Sequence, residues 1–155
     1  MRQLVVPALA MILVGCAHGG ATVSDLPDGA LSVGGVTLGT SEAEVLAILG
    51  EPTQRPQLLF PEEGLYDKKL VWPDAVAYFI DDRLAFLESN RRGVCTGRRV
   101  CLGDSAGAVR RRIGCESEFD ASTKSFSCFD TQSACSIVAT VLDGAASGFR
   151  LQCLP

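Results

Sequence analysis

The one stretch that spells a catalytic arrangement is Gly103-Asp104-Ser105-Ala106-Gly107, the G-x-S-x-G pattern in which a serine on a tight turn becomes a nucleophile. A serine hydroxyl attacks an acyl carbon only when a base beside it takes the proton. The sole histidine, His18, lies in a Gly-, Ala- and Ser-rich stretch near the amino end. Ser105 therefore reads as the capping residue of a helix. Asp81-Asp82 and Glu62-Glu63 pair carboxylates, but adjacent acids do not set the separation that glycoside hydrolysis needs. No EF-hand spacing is present either, so both pairs read as solvated turns. The expectation is a protein that is not an enzyme and has no metal and no cofactor.

Cysteine chemistry is more informative. Seven cysteines fall into one plus six. Cys16 follows Leu13-Val14-Gly15 at the end of an apolar run that begins after Met1-Arg2. The run is too short to span a bilayer, which takes about 20 apolar residues. A charged start, a short apolar stretch and small residues before a cut read as a secretory signal over residues 1–15. The sequence Leu-Val-Gly-Cys resembles a lipobox, which makes Cys16 the expected lipidation site. Ala17 follows, and the absence of Asp there favours the outer membrane by resemblance to the usual sorting rule. Residues 16–30 then read as lipidated Cys and flexible tether, with a reach of roughly 20 Å. The expected address is the cell envelope, lipid-anchored to the outer membrane and facing the periplasm.

The other six are Cys95, Cys101, Cys115, Cys128, Cys135 and Cys153. An even count in an exported chain reads as three disulfides. CxxC spacing is absent and no histidine is near, which argues against zinc. Fifteen pairings exist. The favoured set is Cys115–Cys128, Cys95–Cys101 and Cys135–Cys153, with Cys128–Cys135 as the rival across a hairpin.

Charge is uneven. The whole chain carries −4. Residues 17–90 hold 12 acids and four bases, while residues 91–155 hold six acids and nine bases. The first half is thus near −8 and the second near +3. Arg91, Arg92, Arg98, Arg99, Arg110, Arg111 and Arg112 form a basic cluster. It reads either as a solvated face or as a contact for anionic headgroups or an acidic partner, at about 1 kcal/mol per charge near an anionic membrane. Nucleic acid is not an expected partner outside the cytoplasm. Tyr66, Trp72, Tyr78 and Phe79 fall on expected strands; Trp72, just before Pro73, is the aromatic expected to be exposed and to bind.

The elements that position these residues repeat once. Val36, Leu38, Gly39, Ser41, Val45 and Gly50 recur, 64 residues later, as Val100, Leu102, Gly103, Ser105, Val109 and Gly114. Ser41 and Glu44 form a capping box. Val45, Ile48 and Leu49 share one helical face, and Gly50 with Pro52 ends the helix. In the second copy Val109 and Ile113 are the buried pair. Strands are expected over residues 65–72, 75–80 and 83–88, and again over 124–129, 136–142 and 149–153.

The run Gly-x-Ser-x-x-Glu-Val-x-x-x-Leu-Gly-x-Pro (Gly39, Ser41, Glu44, Val45, Leu49, Gly50, Pro52), followed by the hairpin from Tyr78 to Leu84, resembles the SmpA/OmlA (BamE-like) outer-membrane lipoproteins. The second copy keeps Gly103, Ser105, Val109 and Gly114 but lacks the Glu and the Pro. Tandem duplication also resembles β-lactamase inhibitor protein. The resemblance implies an α+β fold of two tandem helix-plus-antiparallel-hairpin repeats, residues 31–90 and a disulfide-rich 91–155, able to share one sheet. It implies a non-catalytic, membrane-anchored module that binds an envelope protein or serves outer-membrane assembly. The alternative is an inhibitor-like module acting on an extracytoplasmic enzyme.

Overall fold

The computed structural model describes residues 30–58, 66–114, 119–130 and 133–153. Two short strands, β1 (Ser32–Val33) and β2 (Val36–Thr37), open the fold as a hairpin. Helix α1 (Glu42–Leu49) leads to β3 (Lys68–Trp72), β4 (Ala75–Ile80) and β5 (Arg83–Ser89). Helix α2 (Ala106–Ile113) leads to β6 (Phe119–Asp120), β7 (Ser125–Asp130), β8 (Cys135–Leu142) and β9 (Ala145–Cys153). Strands β3 to β9 make a single antiparallel sheet in the order β3-β4-β5-β9-β8-β7-β6.

This architecture corrects the expected fold class. Among the described residues the chain is mostly β, 48% strand against 14% helix, and is not an α+β arrangement of two tandem helix-plus-hairpin units. Each helix has only eight residues, about 12 Å of length, whereas β8 and β9 have eight and nine residues and extend well beyond the helices. The boundary at residue 90 is bridged by the sheet itself, because Phe86–Ser89 of β5 pairs with Phe149–Gln152 of β9. The 64-residue correspondence extends past the helices: the Gly39 N–H donates to the Leu84 carbonyl as the Gly103 N–H does to that of Ala146, and the Glu42 N–H to Asp82 as the Ala106 N–H does to Gly144. It sets two helix starts and two helix ends in one β-dominated body.

Those helix ends follow from local chemistry. Ser41 Oγ accepts the Glu44 N–H while the Glu44 carboxylate accepts the Ser41 N–H, a complete capping box. Ser105 Oγ accepts the Ala108 N–H in the same way. Of the expected inward face of α1, Val45 and Leu49 are buried, but Ile48 is 46% exposed, because eight residues give one narrow stripe. Asp81 and Asp82 have φ of 49° and 62°, which makes the acid pair the two-residue turn between β4 and β5.

Two bulges decide what faces the core. In β5 the register slips between Tyr78 and Phe79 of its partner, and Ala85 is the extra residue. Leu84 and Leu87 can then both point inward although three apart. In β9 the slip lies at Thr140/Val141, Ser147 is extra, and Ala146 and Phe149 are both buried. The core gathers Leu70, Phe79, Leu84, Leu87, Ile137, Phe149 and Leu151 from the sheet with Val45, Leu49, Val109 and Ile113 from the helices. Val33, Val36 and Val100 close it from the β1–β2 side.

Candidate functional site

Several expected site residues prove to be structural. Trp72, the aromatic expected at the surface, is only 5% exposed, and its indole N–H donates to the Gly50 carbonyl at 2.9 Å. The inward register of β3 places it beside the end of α1, so it satisfies a helix-terminal carbonyl. Arg91 does the same for the adjacent carbonyl, donating from Nη1 to Leu49 at 2.9 Å, with Asp74 3.7 Å from its Nε. Ser105 spends its hydroxyl on the cap of α2. Glu62-Glu63 and Cys16 lie outside the described residues.

The disulfides Cys95–Cys101 and Cys135–Cys153 are formed. Each joins residues directly opposite in an antiparallel pairing. Cys128 is also disulfide-bonded, and Cys135 is taken by Cys153, which removes the rival Cys128–Cys135 pair. The expected partner of Cys128, Cys115, falls outside the described residues.

Of the seven arginines, Arg98, Arg99 and Arg112 are brought together. The Cys95–Cys101 loop carries the first two, and Arg112 Nη1 donates to the Arg99 carbonyl at 3.2 Å and to Asp104 Oδ2 at 3.0 Å. The Arg98 guanidinium lies over Gly114, whose φ is +78°. A side chain at 114 would collide with it and would also need the left-handed backbone region that favours glycine. Arg98 Nε is buried and has no hydrogen-bond partner among the described residues. Arg110 and Arg111 are exposed, and the three basic residues in the last turn of α2 oppose its partial negative charge. Arg92 is exposed, and Arg91 is committed to α1.

A second surface emerges only from the structure. Register places Lys69, Tyr78, Phe86, Gln152, Ser136 and Phe129 side by side across β3, β4, β5, β9, β8 and β7, on the face turned away from the buried set that meets the helices. Tyr78 touches Tyr66 at 4.9 Å between centroids and Phe86 at 5.5 Å edge-on. Lys69 Nζ stands 4.9 Å above Tyr78, and the Arg150 guanidinium 5.9 Å from Phe86. In the next row Glu88 pairs with Arg150 at 3.3 Å. Phe129 is 45% exposed, whereas Ser136 is buried. A cleft of about 270 Å³ lies toward the β3–β4 turn, lined by Pro73, Val76, Glu88, Gly148 and Arg150 among others and by none of the aromatic row. The only sequence signal is period-2 alternation, which tells inward from outward but cannot say which outward residues become neighbours.

The edge of the sheet is fastened by ions. Glu42, at the first turn of α1, holds Lys68 of β3 and Arg55, whose distance to the carboxylate is 2.7 Å. The hydrogen bond from Lys68 keeps the Glu42 carboxyl below its ordinary 4.5, and the same contact raises Lys68. A carboxyl lowered by folding stabilises above its unfolded pKa and loses that contribution as pH falls through the folded value. Stability of the wild type is therefore expected to drop below about pH 4.5 more steeply than that of Glu42→Gln. At neutral pH the variant should be less stable by about 1 kcal/mol. Denaturant titrations across pH check both; parallel curves would remove the network from the account.

No protein-family model matches the chain, and no curated protein matches it in sequence. Two solved structures match. An extracellular protein containing a SCP domain, from Bacillus anthracis str. Ames, aligns with TM-score 0.54 at 10% identity, over 75% of this chain and 44% of that one. The likeness is one of fold. The chain spans less than half the length of that protein. A DUF4309 family protein (YjgB) from Bacillus subtilis subsp. subtilis str. 168 aligns with TM-score 0.43 at 15% identity, over 77% of this chain and 83% of that one. Neither is an SmpA/OmlA lipoprotein or a β-lactamase inhibitor protein. Among the described residues no helix is long and apolar enough to cross a membrane. The disulfides are compatible with a secreted or envelope location.

Proposed function

We propose that the chain is a lipid-anchored, non-catalytic protein-binding module, held through Cys16 on the outer membrane and facing the periplasm. The observation that carries the reading is the Lys69–Tyr78–Phe86–Gln152–Ser136–Phe129 row with its flanking cations. Tyrosine and arginine are enriched among residues that dominate protein interfaces, and here they sit on rigid central strands. Ser105 Oγ, engaged as a helix cap, supports a role without catalysis, and the lipobox-like Leu13-Val14-Gly15-Cys16 supports the anchor. The partner class is an envelope protein.

A photo-reactive amino acid placed at Phe86 or Tyr78 in the exported chain tests this. A discrete adduct with one envelope protein is expected from those positions. None is expected from Ile48, which is 46% exposed on α1. A component of outer-membrane assembly in the adduct favours an assembly role, and a hydrolase favours an inhibitor-like one. Identical labelling from Phe86 and Ile48 would overturn the binding face.

A further inference from the structure

We infer that the disulfide-closed loop Cys95–Cys101 and the last turn of α2 form a platform that rests on anionic phospholipid headgroups and orients the domain on its membrane. The inference rests on the anchored reading above and adds to it which side of the domain meets the bilayer.

The first observation is where the chain leaves the fold. Ala30 is buried, and the strand that follows is bonded to the arginine loop itself. The Gly97 N–H donates to the Ser32 carbonyl at 3.0 Å, the Gly34 N–H donates to the Cys95 carbonyl at 2.9 Å, and Val33 bridges to Thr96. The first described residues therefore lie in the immediate neighbourhood of Arg98 and Arg99, and the tether expected before them would start from there. A tether of about 14 residues, with a reach of roughly 20 Å, would keep that neighbourhood within reach of the headgroups.

The second observation is rigidity and charge. The loop is closed by its disulfide and cross-bonded inside, with the Thr96 N–H donating to Val100 at 2.8 Å and the Arg99 N–H to Thr96 at 2.9 Å. Arg112 ties α2 to this loop through the Arg99 carbonyl. Arg99 and Arg111 reach solvent. The half of the chain that carries these residues is near +3, while residues 17–90 are near −8. An anionic surface attracts the one and repels the other, which fixes orientation as well as adding affinity. Guanidinium groups also suit phosphate, through their forked donors.

The test uses the mature chain from residue 16 with Cys16→Ser, so that binding is not swamped by lipid. It is sedimented with vesicles rich in phosphatidylglycerol, and with vesicles of phosphatidylcholine alone, at about 0.05 and 0.5 M salt. Binding is expected for the anionic vesicles at low salt and should be lost at high salt. Arg99→Gln with Arg111→Gln should weaken partitioning about 25-fold, at roughly fivefold for each arginine. Arg83→Gln with Lys124→Gln, which removes the same charge from the start of β5 and from a turn, both outside the platform, should change it less than twofold. Equal losses from the two pairs, or binding to both vesicle types alike, would overturn the platform. Mass analysis of the wild-type amino-terminal peptide reports the anchor separately. Lipid absent from Cys16 sinks the anchored reading, whereas lipid present with vesicle binding indifferent to Arg99 and Arg111 sinks only the platform.

Discussion

Replacing both Cys135 and Cys153 by Ala is expected to lower stability by about 3 kcal/mol. The two residues are 18 apart in sequence, and loop-closure entropy grows with the logarithm of that separation. Cys95–Cys101, six apart, is expected to be worth nearer 2 kcal/mol on the same model. Position adds to the difference. Cys135 and Cys153 end the β8–β9 ladder, and the adjoining Gln152 and Leu151 also pair across to Phe86 and Leu87. Losing the clamp therefore loosens the end of the one strand that joins both groups of strands. Urea titrations of the paired-alanine proteins would show the larger midpoint shift for Cys135/Cys153. At a slope of about 2 kcal/mol/M that shift is roughly 1.5 M. Hydrogen exchange should quicken first at Leu151 and Gln152. A midpoint unchanged by loss of Cys135–Cys153 would mean that the sheet alone holds β9, and the cysteine count would lose its standing as a guide to where the fold needs support.

Helix ends are legible in this sequence because they are set by neighbours. Ser41 with Glu44, Gly50 with Pro52, and Ser105 with Gly114 each decide their own few residues. The hairpin at Asp81-Asp82 is legible for the same reason. Fold class is not, because it depends on pairing between distant segments. Glu88 and Arg150 lie 62 residues apart and meet at 3.3 Å, and nothing in either segment announces the other. The start of β9 is equally hidden. Ala145-Ala146-Ser147-Gly148 has small side chains and a bulge, so it shows neither alternation nor bulk, and only pairing with β8 draws it into the sheet.

The interaction surfaces divide along the same line. Composition makes the arginine cluster visible, but only the structure separates Arg91, a helix cap, from Arg98, Arg99 and Arg112, which stand together beside the first described strand. The aromatic row is invisible as a row. Tyr78 and Phe86 read as ordinary strand residues until register sets them 5.5 Å apart with Lys69 and Arg150 over their rings. The two surfaces use different elements: outward side chains of the sheet in one, a loop and a helix end in the other. On the proposals above, the domain would meet lipid through the loop and α2 while offering its sheet to a protein.

Trp72→Ala is expected to cost about 3–5 kcal/mol, whereas a tryptophan used only for binding would cost almost nothing in the free protein. Trp72 is 5% exposed and shares the inner face of β3 with Leu70, which is fully buried. Its removal leaves a cavity beneath the end of α1 and also strips the Gly50 carbonyl of its donor, 2.9 Å away. Trp72→Phe separates the two effects. The ring volume is largely kept, so the loss should fall to about 1–2 kcal/mol, the cost of an unsatisfied carbonyl plus a small void. Trp72 is the only tryptophan, so fluorescence follows it directly: native emission should be blue-shifted and should move to the red in one step on unfolding. Photo-adducts from Phe86 should survive in Trp72→Phe, because the indole lies on the opposite face of the sheet from the aromatic row. A Trp72→Ala protein as stable as wild type, yet deficient in those adducts, would return Trp72 to the surface and make it the binding residue that its place before Pro73 first suggests.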